Sequence, residues 1–394
     1  MTSIPVILIF DIGKTNKKIL LFNEEYQVVL EKSIQFPEIT DEDGFPCDDV
    51  EALTNWVKTS VEEISQEPAY SVRAIHCTAY GASFVYIDEA GKVVAPLYNY
   101  LKPLQASTKE LFVDRYGPLS KICLQTASPD LDNLNSGLQL FRLKVEHPAI
   151  FSRIKWAMHL PQYIHYVITG EIASDITSIG CHTFLWDFSK NTYHDWVMAE
   201  QIDKILPPIR SHVGLHDSSS ALIPYFKAFE EPFLLISTGT WCICLNPFNQ
   251  TPLTVDELNN DTLCYMSYTG QPIKASRLFA GKKHEVELQK LKEADLDAKQ
   301  FEDAYQLLMD EIVADQVRST NLVLEGSEVK KIFVDGGFSK NEHYMSGLAK
   351  AYPSMQIFAA EVAQATALGA ALSLHEQWNK KSIPDHILKM LRIN

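Results

Sequence analysis

Apolar and polar positions fall in blocks along this chain, and the first block sets the pattern. Pro5-Val6-Ile7-Leu8-Ile9-Phe10 is an unbroken apolar run that predicts a buried strand. Asp11 and Gly13 interrupt it, and Ile19-Leu20-Leu21-Phe22 resumes with β-forming residues. The block reads strand, tight glycine turn, strand. Gly13-Lys14-Thr15 looks like the end of a phosphate-binding P-loop. The first glycine of such a loop would fall on Leu8, however, and no helix follows Thr15. A phosphate site here would be a hairpin rather than a loop capping a helix.

The block recurs at residues 233–246, FLLISTGTWCICLN, where Ser237-Thr238-Gly239-Thr240 takes the place of Asp11-Ile12-Gly13-Lys14. Between the two, residues 71–88 predict two strands around Tyr80-Gly81, and residues 135–147 have partly helical spacing. Residues 159–170 predict a helix opened by Pro161 and closed by Gly170. Farther on, residues 301–325 predict a long amphipathic helix, and KKIFVDGGFSKNEHYMSGLAKAYP predicts strand, Gly-Gly turn, helix. AQATALGAALSLHEQW predicts a small-residue helix able to pack closely. Strands alternate with helices throughout, which indicates an α/β protein. Two glycine hairpins, each opening one of two similar halves, predict a duplicated fold with domains at residues 1–226 and 227–394.

Composition narrows the function classes. The 394 residues are 46% hydrophobic and 22% charged, as in ordinary globular proteins, and suffice for two cores. A net charge of -15 argues against non-specific nucleic-acid binding and against anionic membranes. Seven scattered cysteines without a Cys-x-x-Cys pair fit a reducing cytoplasm. Neither a signal peptide nor a transmembrane span is expected.

Asp11, at the end of an apolar strand, is costly unless paired, hydrogen-bonded or near a metal; a strand-end residue bonding its own turn would also fit. Asp217, before SSSALIPYF, reads by spacing alone either as a helix cap or as an accessible acid. The hairpin glycines let backbone amides approach phosphate oxygens, with Thr15, Thr238 and Thr240 as hydroxyl donors and Lys14 and Lys17 as charges.

Five segments together resemble the FGGY family of carbohydrate kinases. FDIGKTNKKILLF and ISTGTWCICL are similar to its two phosphate hairpins, VGLHDSSSAL to its catalytic-aspartate segment, and VDGGFSKN to its adenosine-side turn. HLPQYIHYVITGEIASDITSIGCHTFLWD is similar to its helix, Thr-Gly, Ser-Asp and Leu-x-Asp segment. His216-Asp217 and Thr238-Gly239-Thr240-Trp241 resemble the rhamnulose-kinase-like branch, as does TAYGASFVYIDEAGKVVAPLYNY. Departures are Tyr100-Leu101-Lys102 where that branch has Tyr-Arg-Asp, and Cys77 at a usually acidic position.

The resemblance implies a duplicated two-domain actin-like ATPase (ribonuclease H-like) fold, with a sugar-binding and catalytic first domain and a nucleotide-binding second. It implies ATP and Mg²⁺, with Asp11 toward the metal and Asp217 as general base. His76, Tyr80, Gly81, Ala82, Asn135 and His216 are the expected sugar contacts. Gly13, Lys14, Thr15, Asn16, Lys17, Thr238, Gly239, Thr240, Gly336, Gly337, Phe338 and Asn341 are the expected ATP contacts. The implied substrate is a small ketose of the L-rhamnulose or L-fuculose type. A homodimer is compatible with this reading, and no nucleic acid or membrane partner is expected. The alternatives are a catalytically degenerate sugar sensor and an actin-like ATP-binding protein.

Overall fold

In the computed structural model, which describes residues 3–362, 364–385 and 387–394, the opening apolar block forms β1 (Ile4–Ile12) and β2 (Lys17–Asn23). They pair antiparallel from Val6↔Asn23 to Ile12↔Lys17, and the Gly13 N–H closes the turn on the Asn16 carbonyl at 2.9 Å. β3 (Val28–Ile34) pairs antiparallel with β2. β4 (Tyr70–Ala79) runs parallel to β1, and β5 (Leu215–His216) parallel to β4, so the sheet order is β5-β4-β1-β2-β3. β1 is buried on both faces, which explains its continuous rather than alternating apolar pattern. Val6, Leu8 and Phe10 pack with Leu53 and Val57 of α1 (Val50–Gln66) and Leu160 and Ile164 of α2 (Leu160–Thr169). The helix Ala365–Ser373 also packs on β1 and β4. Gly170 ends α2 at φ +75°, the left-handed cap its sequence predicts.

The second hairpin starts the same topology again. β6 (Phe233–Thr238) and β7 (Cys242–Asn246) pair antiparallel, and β8 (Pro272–Leu278) continues on β7. β9 (Lys331–Gly336) runs parallel to β6, and β10 (Gln356–Glu361) parallel to β9. The order β8-β7-β6-β9-β10 repeats β3-β2-β1-β4-β5. Leu234, Ile236 and Val334 pack with Met309 and Ile312 of α3 (Ala298–Leu324) and Met345 and Leu348 of α4 (Glu342–Ala351).

Two compact units result. One comprises Met1–Pro224, Tyr265–Gly270 and Gln364–Pro384; the other comprises Tyr225–Cys264, Gln271–Ala363 and Asp385–Asn394. The expected single cut at residue 226 is therefore corrected, because two later segments return to the first unit. The small-residue helix explains one return. A Cβ on Gly369 would lie 1.9 Å from the Ser220 carbonyl oxygen, so the backbones meet at a distance only glycine permits.

The two strands expected around Tyr80-Gly81 form, as β4 and Phe84–Ile87. Phe84–Ile87 pairs with Trp156–His159 and not with β4. Ala82, at φ +63°, turns the chain away. Among the described residues, no helix is long and apolar enough to cross a membrane.

Candidate active site

β5 ends at His216, and the chain turns at once into the short helix Asp217–Ala221. The turn is held from beneath. The Thr177 hydroxyl accepts the His216 N–H at 3.0 Å and donates to Asp175. The three serines that follow are each committed. Ser218 donates its N–H to the Asp217 carboxylate at 2.6 Å, Ser219 bonds the Met266 carbonyl, and Ser220 bonds the Thr366 carbonyl. Asp217 is thus a first-turn residue whose carboxylate takes the next amide, rather than the helix cap.

The Asp217 side chain keeps 34% exposure, so a ligand can reach it, while protein crowds its other sides. Burial pushes its carboxyl up to about 6, with the Ser218 bonds opposing. His216 Nε2 lies 3.3 Å from Asp217 Oδ1. Burial pushes that imidazole down to about 4, so it is neutral at pH 7. Its Nδ1 is buried with no hydrogen-bond partner among the described residues. The ring stacks on Tyr265 at 5.6 Å and rests against Gly81, where a Cβ would lie 2.6 Å from Nε2. Gly81 is needed here for close approach.

The other expected sugar contacts separate. Tyr80 is buried and donates its hydroxyl to Asp48 at 2.8 Å. Ala82 follows in the left-handed turn, its carbonyl bonded by Gln139. Asn135 is already spent: its amide nitrogen bonds Ser128 and the His182 carbonyl, and its oxygen accepts the Leu131 N–H. His76 is buried, and that burial holds its imidazole down at about 3. Lys102, at the departure from the branch pattern, is buried between Asp41 and Asp43.

Asp11 ends β1 and accepts the Thr366 hydroxyl at 2.7 Å. Burial pushes its carboxyl up to about 6; Thr366 opposes, the Asp217 charge adds to the rise, and Lys18 partly offsets it. A desolvated carboxylate with one hydroxyl donor offers hard oxygen that fits Mg²⁺. Thr366 ties Asp11 to the helix that begins at Asp217, donating its hydroxyl to Asp11 and accepting from Ser220 at its carbonyl. Nothing in its small-residue helix signalled this, because the partners are about 150 or more positions away in sequence.

On the first hairpin, Thr15 and Asn16 are exposed, and Asn16 accepts from Gln35. Lys17 is 2% exposed and bonds Asp48 and the Lys14 carbonyl, so it is not open to a phosphate. Period-two alternation explains this correction: Lys17 shares a face with Ile19 and Leu21, both part of the core that includes α1. Lys18, on the opposite face, is the lysine whose charge reaches Asp11.

In the second unit, a cavity of about 290 Å³ is lined by Thr238, Gly239, Gly337, Phe338 and Asn341, with Gly281 and His284. The Thr238 hydroxyl donates to the Asp335 carbonyl and accepts the Phe338 N–H at 3.0 Å, stitching the hairpin to the Gly-Gly turn. Gly336 sits at φ +79°, and a Cβ there would lie 1.8 Å from the Thr238 carbonyl oxygen. Asn341 caps α4 through the Tyr344 N–H and donates to the Tyr305 hydroxyl. Thr240 is exposed, and its carbonyl accepts the Lys282 N–H. Sequence reasoning missed Gly281, whose added Cβ would lie 1.8 Å from the Gly239 carbonyl oxygen; the only signal was a lone glycine after β8.

The FGGY family of carbohydrate kinases, N-terminal domain, matches residues 6–212, and the Carbohydrate kinase FGGY, C-terminal domain, matches residues 230–320. A rhamnulokinase of Halalkalibacterium halodurans is 23% identical over 273 residues, covering 63% of this chain and 57% of that protein. An L-fuculokinase of Escherichia coli K12 is 24% identical over 281 residues, covering 61% and 56%. The match thus spans little more than half of either relative. The crystal structure of a carbohydrate kinase from Novosphingobium aromaticivorans superposes with a TM-score of 0.83 at 19% identity, covering 99% of this chain and 94% of that one. The duplicated α/β architecture expected from the sequence, the two-domain actin-like fold, is the fold found.

Proposed function

From the chain's membership of the FGGY family of carbohydrate kinases, we propose that it transfers the γ-phosphoryl group of ATP to a hydroxyl of a small ketose of the L-rhamnulose or L-fuculose type. The observation that carries this is Asp217: an ionised, crowded yet reachable carboxylate beside a neutral imidazole with an unmet bond.

Asp217 accepts the proton of the attacking hydroxyl. That O–H bond breaks as the new O–P bond forms, and the bond from the γ-phosphorus to the bridging oxygen releases ADP. His216, neutral at pH 7 and with Nε2 3.3 Å from Asp217 Oδ1, orients the base beside the sugar. Gly81 admits the ring to that position. In the second unit, Gly239 and Gly337 leave part of the cavity lining without side chains, so phosphate oxygens approach the backbone closely, and Phe338 and Asn341 flank the nucleoside. Mg²⁺ held by Asp11, directly or through water, would neutralise charge on the phosphates.

An ATP-consumption screen over ketoses, aldoses and glycerol, with the product located by NMR, tests the reading. Turnover is expected with a deoxy-ketose. ATP consumption with none of the sugars would overturn it.

A further inference from the structure

Asp48 stands just before Asp49, the residue that caps α1. Its carboxylate accepts from three side chains: Lys14 Nζ at 2.6 Å, Lys17 Nζ at 2.9 Å and the Tyr80 hydroxyl at 2.8 Å. Two cations on one carboxylate leave a surplus positive charge, and the two lysines are not equivalent. Lys17 is buried and bound a second time, by the Lys14 carbonyl at 2.8 Å. Lys14 keeps 25% of its side chain exposed and lies 5.9 Å over the Tyr80 ring. Its other partner, Glu38, is 3.4 Å away on the solvent side and 48% exposed, a contact water weakens.

Tyr100, whose ring is 6.0 Å from that of Tyr80, is buried enough to raise its hydroxyl, and it senses both the Lys14 and the Asp217 charge.

We propose that Asp48 is a positioning residue that holds Lys14 ready for the transferring phosphoryl group. Lys14 exchanges Asp48 for the phosphoryl oxygens, and Lys17 stays to keep the buried carboxylate paired. The second lysine makes the exchange feasible: if Asp48 had only one cation, its departure would leave a desolvated charge unpaired, which is strongly destabilising. A lysine suits the moving role, being a point charge on a flexible stem. The inference rests on the kinase reading.

Amine acetylation of the full chain, read by mass spectrometry at Lys14 and Lys17, tests it without turnover. The reagent should label Lys14 and spare Lys17. The magnesium complex of the non-hydrolysable ATP analogue AMP-PNP, at ten times its dissociation constant, should cut Lys14 labelling by about tenfold. MgADP, lacking the γ-phosphate, should protect much less. Equal labelling with and without the analogue, or equal protection by MgADP, would overturn the proposal. The kinetic arm uses Lys14→Met, which keeps the Lys17–Asp48 pair and therefore the fold. It should lower kcat by about 10²-fold with the sugar KM little changed. Asp48→Asn should lower kcat less, and Asp48→Glu should recover most of that loss; an unchanged kcat in Lys14→Met overturns the exchange. Protection without sugar turnover would sink the kinase reading and keep the exchange, whereas turnover without protection would do the reverse.

Discussion

The two units use the same strand topology to build opposite kinds of site. The first gathers polar side chains, Asp11, Asp217, His216, Asp48 and two lysines, half of them buried and all engaged with neighbouring groups. In the second, the cavity is largely bare backbone, with glycines at 239, 281 and 337. Proton transfer and charge stabilisation need ionisable groups held out of water, and that raises their pKa and costs stability. Phosphate binding needs amides at close range, which the absence of side chains supplies. On the function proposed above, one hairpin motif serves either end, depending on what stands next to its glycine.

The sharpest way to break this contrast is at the acid. Asp217→Asn should lower kcat by at least ~10²-fold while ATP binding persists. Turnover near that of the wild type would remove Asp217 from the mechanism. On the other side, Gly239→Val should fold normally, because a Cβ at that glycine meets nothing nearer than the Trp241 carbonyl oxygen at 3.8 Å. It should weaken ATP binding by about tenfold or more, the equivalent of ~1.4 kcal/mol, with sugar binding little affected. Calorimetry showing unchanged ATP affinity would make the cavity something other than a phosphate site.

Acidity acts on the first unit alone. Asp217 must be ionised to accept a proton and titrates at about 6, so kcat/KM should stand near half its maximum at pH 6 and fall further below it. His216, held at about 4, stays neutral through that range and should not contribute. A flat profile from pH 7 down to pH 5 would refute the base assignment.

The smallest effect is on stability. The folded pKa of Asp217 lies above its ordinary value of 3.8, so the folded state holds this proton more tightly. Its contribution to stability is full below about 3.8 and lost as pH rises through about 6. At pH 8, Asp217→Asn should therefore raise the melting temperature, by about 2–4 °C, even as it removes activity. The gain should vanish near pH 4. A variant that melts lower at pH 8 would mean that the charge is stabilising where it stands.

The sequence by itself determined the local units. Apolar runs, glycines and prolines fixed both hairpins, α2 with its Gly170 end, α3 and the Gly-Gly turn, because each rests on contacts within a few residues. It also singled out Asp11 as a carboxylate at a strand end, while for Asp217 spacing alone left a helix cap and an accessible acid open. Tertiary structure decided what each polar group meets. Asn135 looked available and is bound on every side; Lys17 looked like a phosphate ligand and lies under the hairpin on Asp48, 31 positions away. Thr366 reaches Asp11 across 355 positions, and the Gly369 helix returns to the first unit because only a bare backbone can meet Ser220 there. Side-chain partnership depends on which faces the sheets and helices bring together, and that is set by the packing of the whole domain rather than by the order of its residues.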